Sequence, residues 1–338
     1  MTYDVTLIPG DGIGPEITEQ TIRLVEAAGV TIRWDICQAG MAAVSLAGNP
    51  LPEATLHSIR ERKVALKGPL TTPVGGGFRS VNVELRKTFD LYANVRPAIT
   101  ILPGRYEHVD IVLVRENVEG LYSGVEHFIR VGDDPQAVGV SQAIVTRFSC
   151  ERIIRYAFEY AVRHGRKLVS IVHKANILRM ASGLFLEVAR GIAQEYAGRG
   201  VSVNEYIVDN CAMQLVLKPE QFDVIVTTNL FGDILSDEIA GLVGGLGLTP
   251  GGNIGAEAAI FEAVHGSAPD IAGKGIANPS AQVLAAAMLL DHLGEAEAAR
   301  RLRNALGTTI RKVGIKTRDL GGTATTREFG DAVAARLA

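Results

Sequence analysis

Little in this chain points toward a nucleic acid or a membrane. Lys and Arg number 34 against 37 Asp and Glu, a net charge of −3, so the basic excess of a nucleic-acid binder is missing. An anionic substrate is still compatible, because a site needs only local positive charge. The longest uninterrupted apolar run near the C-terminus, Val283–Leu290, stops far short of the ~20 residues that span a bilayer. The first residues enter a strand-like segment, Tyr3–Ile8, with no signal-peptide pattern. Cysteine is scarce: Cys37, Cys150 and Cys211 form no CxxC pair and no dense framework. A reduced, cytoplasmic protein is expected. No GxxxxGK[ST] phosphate loop occurs.

What is present is ordinary for a globular protein, with one exception. Hydrophobic residues make up 47% and charged residues 21% of 338 residues, which excludes global disorder and allows a large core. At about 150 residues per domain, the length suggests roughly two domains. Glycine is over-represented, 37 residues, or about 11% against a usual ~7%. The glycines cluster, and two clusters, Gly75–Gly77 and Gly244–Gly255, read as loops within domains.

The chain opens as strand, turn and helix: Asp4–Ile8, then GDGIGPE, then Ile17–Ala28 with apolar residues at helical spacing. Further strands are expected at Thr31–Ile36, Val64–Leu66, Ile111–Arg115, Leu168–Val172, Val201–Ile207 and Phe222–Thr228. Helices are expected at Pro52–Glu61, Ser149–His164, Gly183–Tyr196, Ile234–Val243 and Ser280–Leu293. This alternation indicates an α/β protein with a largely parallel sheet. GDGIGPE is not a dinucleotide fingerprint. GxGxxG starting at Gly10 requires glycine at position 15, which is Pro15. The segment is a tight turn with proline at a helix start.

Five later segments hold chemistry-bearing residues, and each alone has a bland reading. Arg79–Pro97 contains Ser80, Asn82, Arg86 and Arg96. These are hydroxyl, amide and guanidinium donors suited to carboxylates, or a solvated helix start with two surface arginines. Val114–Gly124 adds Arg115 at a strand end and Tyr122, either a ligand-facing edge or a salt bridge and a half-buried tyrosine. Lys174 follows the strand Leu168–Val172. Asp233 and Asp237 are four apart, so they share a helix face. Like charges at that spacing suit Mg²⁺ or Mn²⁺ with Asp209 as a third oxygen donor, or simply an acidic first turn favoured by the helix dipole. Phe261–Pro279 is an irregular stretch with His265, Gly266, Asp270 and Asn278 that could wrap a nucleotide.

In this order, from GDGIGPE to Thr317–Gly322, these segments resemble the metal-dependent β-decarboxylating dehydrogenases, the isocitrate/isopropylmalate dehydrogenase family. The likeness is to its NAD-dependent isocitrate branch, because Ser80 and Asn82 precede Arg86. A third substrate carboxylate needs donors there, and an apolar pocket would leave its charge unpaired. The resemblance implies a two-domain α/β sandwich with a large mixed sheet, not a Rossmann fold. The large domain would take 1–97 and 245–338, and the small domain 98–244, with a dimerising clasp near 120–146.

The resemblance also implies roles. Arg86, Arg96 and Arg115 would clamp the substrate carboxylates, with Ser80 and Asn82 on the γ-carboxylate. Tyr122 would be the proton donor and Lys174 the catalytic lysine. Asp209, Asp233 and Asp237 would bind Mg²⁺ or Mn²⁺, with the lysine and one aspartate supplied by a second copy in a homodimer or larger homo-oligomer. Thr71, His265, Gly266, Asp270, Ile271 and Asn278 would contact NAD. Asp270 would accept from the ribose hydroxyls and repel a 2′-phosphate, to which Ile271 offers no donor. The expected activity is oxidative decarboxylation of isocitrate. Homoisocitrate or isopropylmalate oxidation, a regulatory subunit and a Mg²⁺-dependent hydrolase are the rivals. All eight chemistry-bearing Arg, Tyr, Lys and Asp positions are present, which argues against an inactive subunit.

Overall fold

The alternation of strand and helix patterns is realised as a mixed sheet carrying helices. The computed structural model describes residues 1–73, 78, 80–102 and 104–337; the loop expected at Gly75–Gly77 lies outside them. The described strands are β1 (Thr2–Ile8), β2 (Thr31–Ile36), β3 (Val64–Lys67), β4 (Ala93–Ile99), β5 (Asp110–Glu116), β6 (Gly120–Val131), β7 (Asp134–Ile144), β8 (Leu168–His173), β9 (Ser202–Ile207), β10 (Val224–Thr227), β11 (Pro250–Ile254) and β12 (Ala259–Ala263). Ten of them form one sheet in the order β2-β1-β3-β12-β11-β4-β5-β10-β8-β9, and β6 pairs with β7 alone. The sheet is mixed because β11 runs antiparallel to β12. No described helix is long and apolar enough to cross a membrane.

The chain divides into two compact units. One comprises Met1–Leu91, Arg96–Val109 and Ala240–Ala338. Here β1 pairs in parallel with β2 and β3, and β3 with β12. Its main core joins Val5, Leu7, Leu66, Phe261 and the helix Ser280–His292. That helix is apolar on nearly every side, as a fully buried helix requires. The GDGIGPE turn packs backbone on backbone. A side chain at Gly12 would lie 2.0 Å from the Ser267 carbonyl oxygen, and Gly12 has φ +58°. Ile13 N–H donates to that same carbonyl at 2.9 Å. Only glycine fits so close an approach, and the contact anchors the stretch that carries His265 to Asn278.

The expected loop at Gly244–Gly255 is partly wrong. Residues Pro250–Ile254 are the buried strand β11. Gly251 and Gly252 serve packing: a side chain at Gly252 would crowd Met288 Cε at 3.1 Å and Phe261 Cε1 at 3.2 Å. Glycine inside a strand often marks such a close neighbour.

The other unit comprises Tyr92–Val95 and Asp110–Ile239. Its strands β5, β10, β8 and β9 are parallel neighbours. Register sets Arg115 opposite Thr227, and Thr227 opposite Val172. The carboxyl ends of β5, β10 and β8 therefore lie side by side, the usual place for ligands in such sheets. The hairpin β6–β7 pairs Phe128 with Gly139. It leaves Val125, Phe128, Ile129, Val131 and Val138 exposed.

Candidate active site

Within the second unit, the end of β5 delivers Arg115, and the helix Asn229–Leu242 follows β10 directly. Arg115 is only 1% exposed. Its Nε and Nη2 donate to Asn229 Oδ1 at 3.1 and 2.7 Å, and its Nη1 pairs with Asp233 Oδ1. Tyr122 OH donates to Asp233 Oδ2 at 2.5 Å, and the guanidinium lies over the Tyr122 ring, 5.1 Å from its centre. The helix reaches this close because residue 232 is glycine; a Cβ there would lie 2.6 Å from Arg115 Cγ. Asp233 is thus aimed by two donors, while Asp237, one turn on, is exposed. Burial, and then the bond to Asp233, raise the Tyr122 phenol above its ordinary pKa, so it keeps its proton at neutral pH.

Lys174 and Asp209 form a separate pair. Lys174 follows β8, and Asp209 sits in the first turn of the helix Val208–Leu217. The hydrogen bond from Lys174 holds the Asp209 carboxyl below the usual range. Among the described residues no three metal-binding side chains converge. Asp209 is therefore not gathered with Asp233 and Asp237 within one chain. Asp233 and Asp237 alone match a hard cation that keeps waters and binds through one or two carboxylates.

In the first unit, Ser80 precedes the helix Val81–Thr88 without capping it through its side chain. Its hydroxyl is spared for another acceptor. The Asn82 side-chain oxygen is buried without a hydrogen-bond partner, which marks it as a group awaiting a ligand. Arg86 is 9% and Arg96 6% exposed, so the surface-arginine reading of both fails. Arg86 Nε donates to Asn253 Oδ1 at 3.2 Å, and its Nη2 to Glu262 Oε1 at 3.4 Å. Glu262 Oε2 pairs with Lys67 Nζ at 2.6 Å. Burial pushes the Glu262 carboxyl up, but the charges of Lys67 and Arg86 and the bonds from Lys67 and Asn253 outweigh it, bringing its pKa down to about 2.

The same unit holds a cavity of 610 Å³ lined by Ile13, Gly247, His265, Ile271, Asn278 and Asp319, among others. His265 Nδ1 lies 2.9 Å from the Gly266 carbonyl. A carbonyl only accepts, so Nδ1 carries the proton and Nε2 is the acceptor. That Nε2 is buried without a partner. Burial lowers the His265 pKa, which favours this neutral form. Asn278 is fixed at both ends: its Nδ2 donates to Asp319 Oδ2 at 2.9 Å, and its Oδ1 accepts from Ser280 N at 2.9 Å. The size of the cavity, its apolar wall and its orphaned acceptor fit part of a dinucleotide. Thr71 and Asp270 are not among its described lining residues. Thr71 Oγ1 instead bonds Ser267 Oγ at 2.6 Å, and Asp270 is exposed.

Sequence reasoning missed Lys67, Glu262, Asn253, Asn229 and Asp319. Lys67 carried a usable signal, a charged residue closing the apolar run Val64–Leu66, the same signal that singled out Arg115 and Lys174. Glu262 and Asn253 gave none, because their role arises only from strand pairing.

Comparison with known proteins places the chain in a family. The family profile described as isocitrate/isopropylmalate dehydrogenase matches residues 4–333. The mitochondrial NAD isocitrate dehydrogenase subunit 2 of Schizosaccharomyces pombe is 46% identical over 340 residues, covering 99% of this chain and 88% of its own. The isocitrate/homoisocitrate dehydrogenase of Thermus thermophilus is 49% identical over 341 residues, covering 100% and 99%. The crystal structure of isocitrate dehydrogenase from Methylococcus capsulatus superposes with a TM-score of 0.96 at 56% identity, covering 99% of each chain. The chain belongs to the isocitrate/isopropylmalate dehydrogenase family, as an oxidoreductase of the isocitrate dehydrogenase type.

Proposed function

We propose that the chain catalyses metal-dependent oxidative decarboxylation of isocitrate to 2-oxoglutarate and CO₂, with NAD as oxidant. The observation that supports this most is the grouping of Arg115, Tyr122 and Asp233, with Asp237 one helical turn away. Arg86, Arg96 and Arg115 bind substrate carboxylates. Ser80 Oγ and the Asn82 amide nitrogen donate to the third. Asp233 and Asp237, with Asp209 of a second copy, hold Mg²⁺ or Mn²⁺. When bound, the cation supplies Lewis-acid polarisation of the substrate oxygen, and NAD supplies the hydride acceptor.

The protein's own groups manage the protons. Lys174, helped by Asp209 beside it, forms the path by which the hydroxyl proton leaves during oxidation. Tyr122, which stays protonated, gives its proton to the carbon from which CO₂ has left. His265 Nε2 accepts from the cofactor. Asn278 packs against it, and Asp270 on the exposed rim disfavours a 2′-phosphate.

Lys174 and Asp209 act in the site of the partner in a homodimer. The exposed apolar residues of β6–β7 support that dimer, because a lone two-stranded sheet is marginal in water. We place the enzyme in the cytoplasm, where its three free thiols stay reduced.

Initial rates of nicotinamide reduction at 340 nm, with Mg²⁺ or Mn²⁺ present, test the reading. Isocitrate, homoisocitrate and isopropylmalate are crossed with NAD and NADP. Fastest turnover with isocitrate and NAD is expected. Preference for homoisocitrate would reassign the substrate and leave the chemistry standing. Mixing the inactive variants Lys174→Met and Tyr122→Phe should restore part of the activity if sites are shared, and none if each chain is complete.

A further inference from the structure

The buried cluster behind Arg86 has an unequal charge count. Lys67, Arg86 and Glu262 are 2%, 9% and 6% exposed, and two cations share one carboxylate. Strand pairing builds the cluster: Glu262 in β12 stands directly opposite Lys67 in β3. Asn253 in β11 donates to Glu262 Oε1 at 2.7 Å and to the Ile260 carbonyl at 3.2 Å. Lys67 Nζ also donates to the Gly68 carbonyl at 2.9 Å.

The donor count locates the surplus. The Nε and Nη2 edge of Arg86 is held from behind by Asn253 and Glu262. Its Nη1 has no hydrogen-bond partner among the described residues. A buried guanidinium held along one edge presents its end to a ligand, and a surplus buried positive charge is costly until an anion meets it. Glu262 does two things at once. It orients Arg86, and it offsets one of two neighbouring cations so that both stay buried.

We propose that Glu262, balanced by Lys67, is a positioning residue for Arg86. It sets the direction and the net charge with which Arg86 meets a substrate carboxylate. This rests on reading Arg86 as a substrate ligand.

The test is a charge-balance cycle in the full-length enzyme, with isocitrate and NAD varied separately. Wild type carries one surplus positive charge, Glu262→Gln two, Lys67→Met none, and the double variant one again. Glu262→Gln should lose at least about tenfold in kcat/KM for isocitrate, because misplaced binding groups are costly. Its KM for NAD should change by less than about twofold. The double variant should retain more activity than the product of the two single losses, because the charge balance is restored. Independent losses that multiply, or an unchanged kcat/KM in folded Glu262→Gln, would overturn the proposal. Should Glu262→Gln not fold, Glu262→Asp keeps the charge and moves it back by one methylene. A kcat/KM lowered about threefold or more is then expected, and an unchanged value overturns it. Wild type that does not turn over isocitrate would sink the functional reading itself, which separates the two failures.

Discussion

Arg86 and Arg115 are the same residue at nearly the same burial, 9% and 1% exposed, yet they are employed differently. Arg115 uses Nε, Nη1 and Nη2 on Asn229 and Asp233. These bonds build the neighbourhood of Tyr122 and Asp233. Arg86 is held along one edge and retains donors at its end. Their acids differ too. The Asp233 side chain is partly exposed and takes a phenol as its second donor, whereas the Glu262 side chain is buried and takes a lysine. Donor accounting, more than burial, separates a guanidinium whose donors also build the site from one held along a single edge.

The largest expected effect tests the Arg115 side. Tyr122→Phe removes one donor from Asp233 and the proposed proton source. Turnover should fall about 10²–10⁴-fold, with KM for isocitrate nearly unchanged. Intact turnover with only a raised KM would remove Tyr122 from the proton-transfer role.

The second prediction compares the arginines in stability. Arg115→Ala leaves Asn229 and Asp233 without their shared partner and should cost about 3 kcal/mol. Arg86→Ala leaves Glu262 still paired with Lys67 and should cost about 1 kcal/mol. Urea unfolding of both variants checks this, and equal costs would erase the distinction.

The third prediction concerns the acid limb of stability. The folded-state pKa of Glu262 is depressed from 4.5 to about 2. Its contribution is therefore complete above the unfolded value and is lost as pH falls from about 4.5 toward 2. Over that window wild type should lose about 2–3 kcal/mol through this group alone. Glu262→Gln should lack that part of the slope. Parallel curves from denaturant titrations at each pH would show that the carboxylate is not held by its two cations.

Alternating apolar runs and helical periodicity made most of the parallel strands and long helices legible, since backbone geometry imposes periods that a local pattern reveals. Arg115, Lys174, Asp233 and Asp237 were legible for the same reason, because strand ends and i, i+4 spacing are local facts. The hairpin β6–β7 and strand β11 were not. Their residues are exposed or glycine-rich, so neither segment shows the apolar run that marks the other strands.

The sequence by itself determined the α/β alternation, the ordinary charge balance, the failure of the dinucleotide fingerprint at Pro15 and part of the set of chemistry-bearing residues. Only the tertiary structure decided which of those residues share partners. Lys67 lies far from Asn253 and Glu262 in the chain, and the three meet because β3, β12 and β11 are neighbours. Ion pairing and desolvation act through space over a few ångströms, so their outcome belongs to the folded contacts and not to the order of residues.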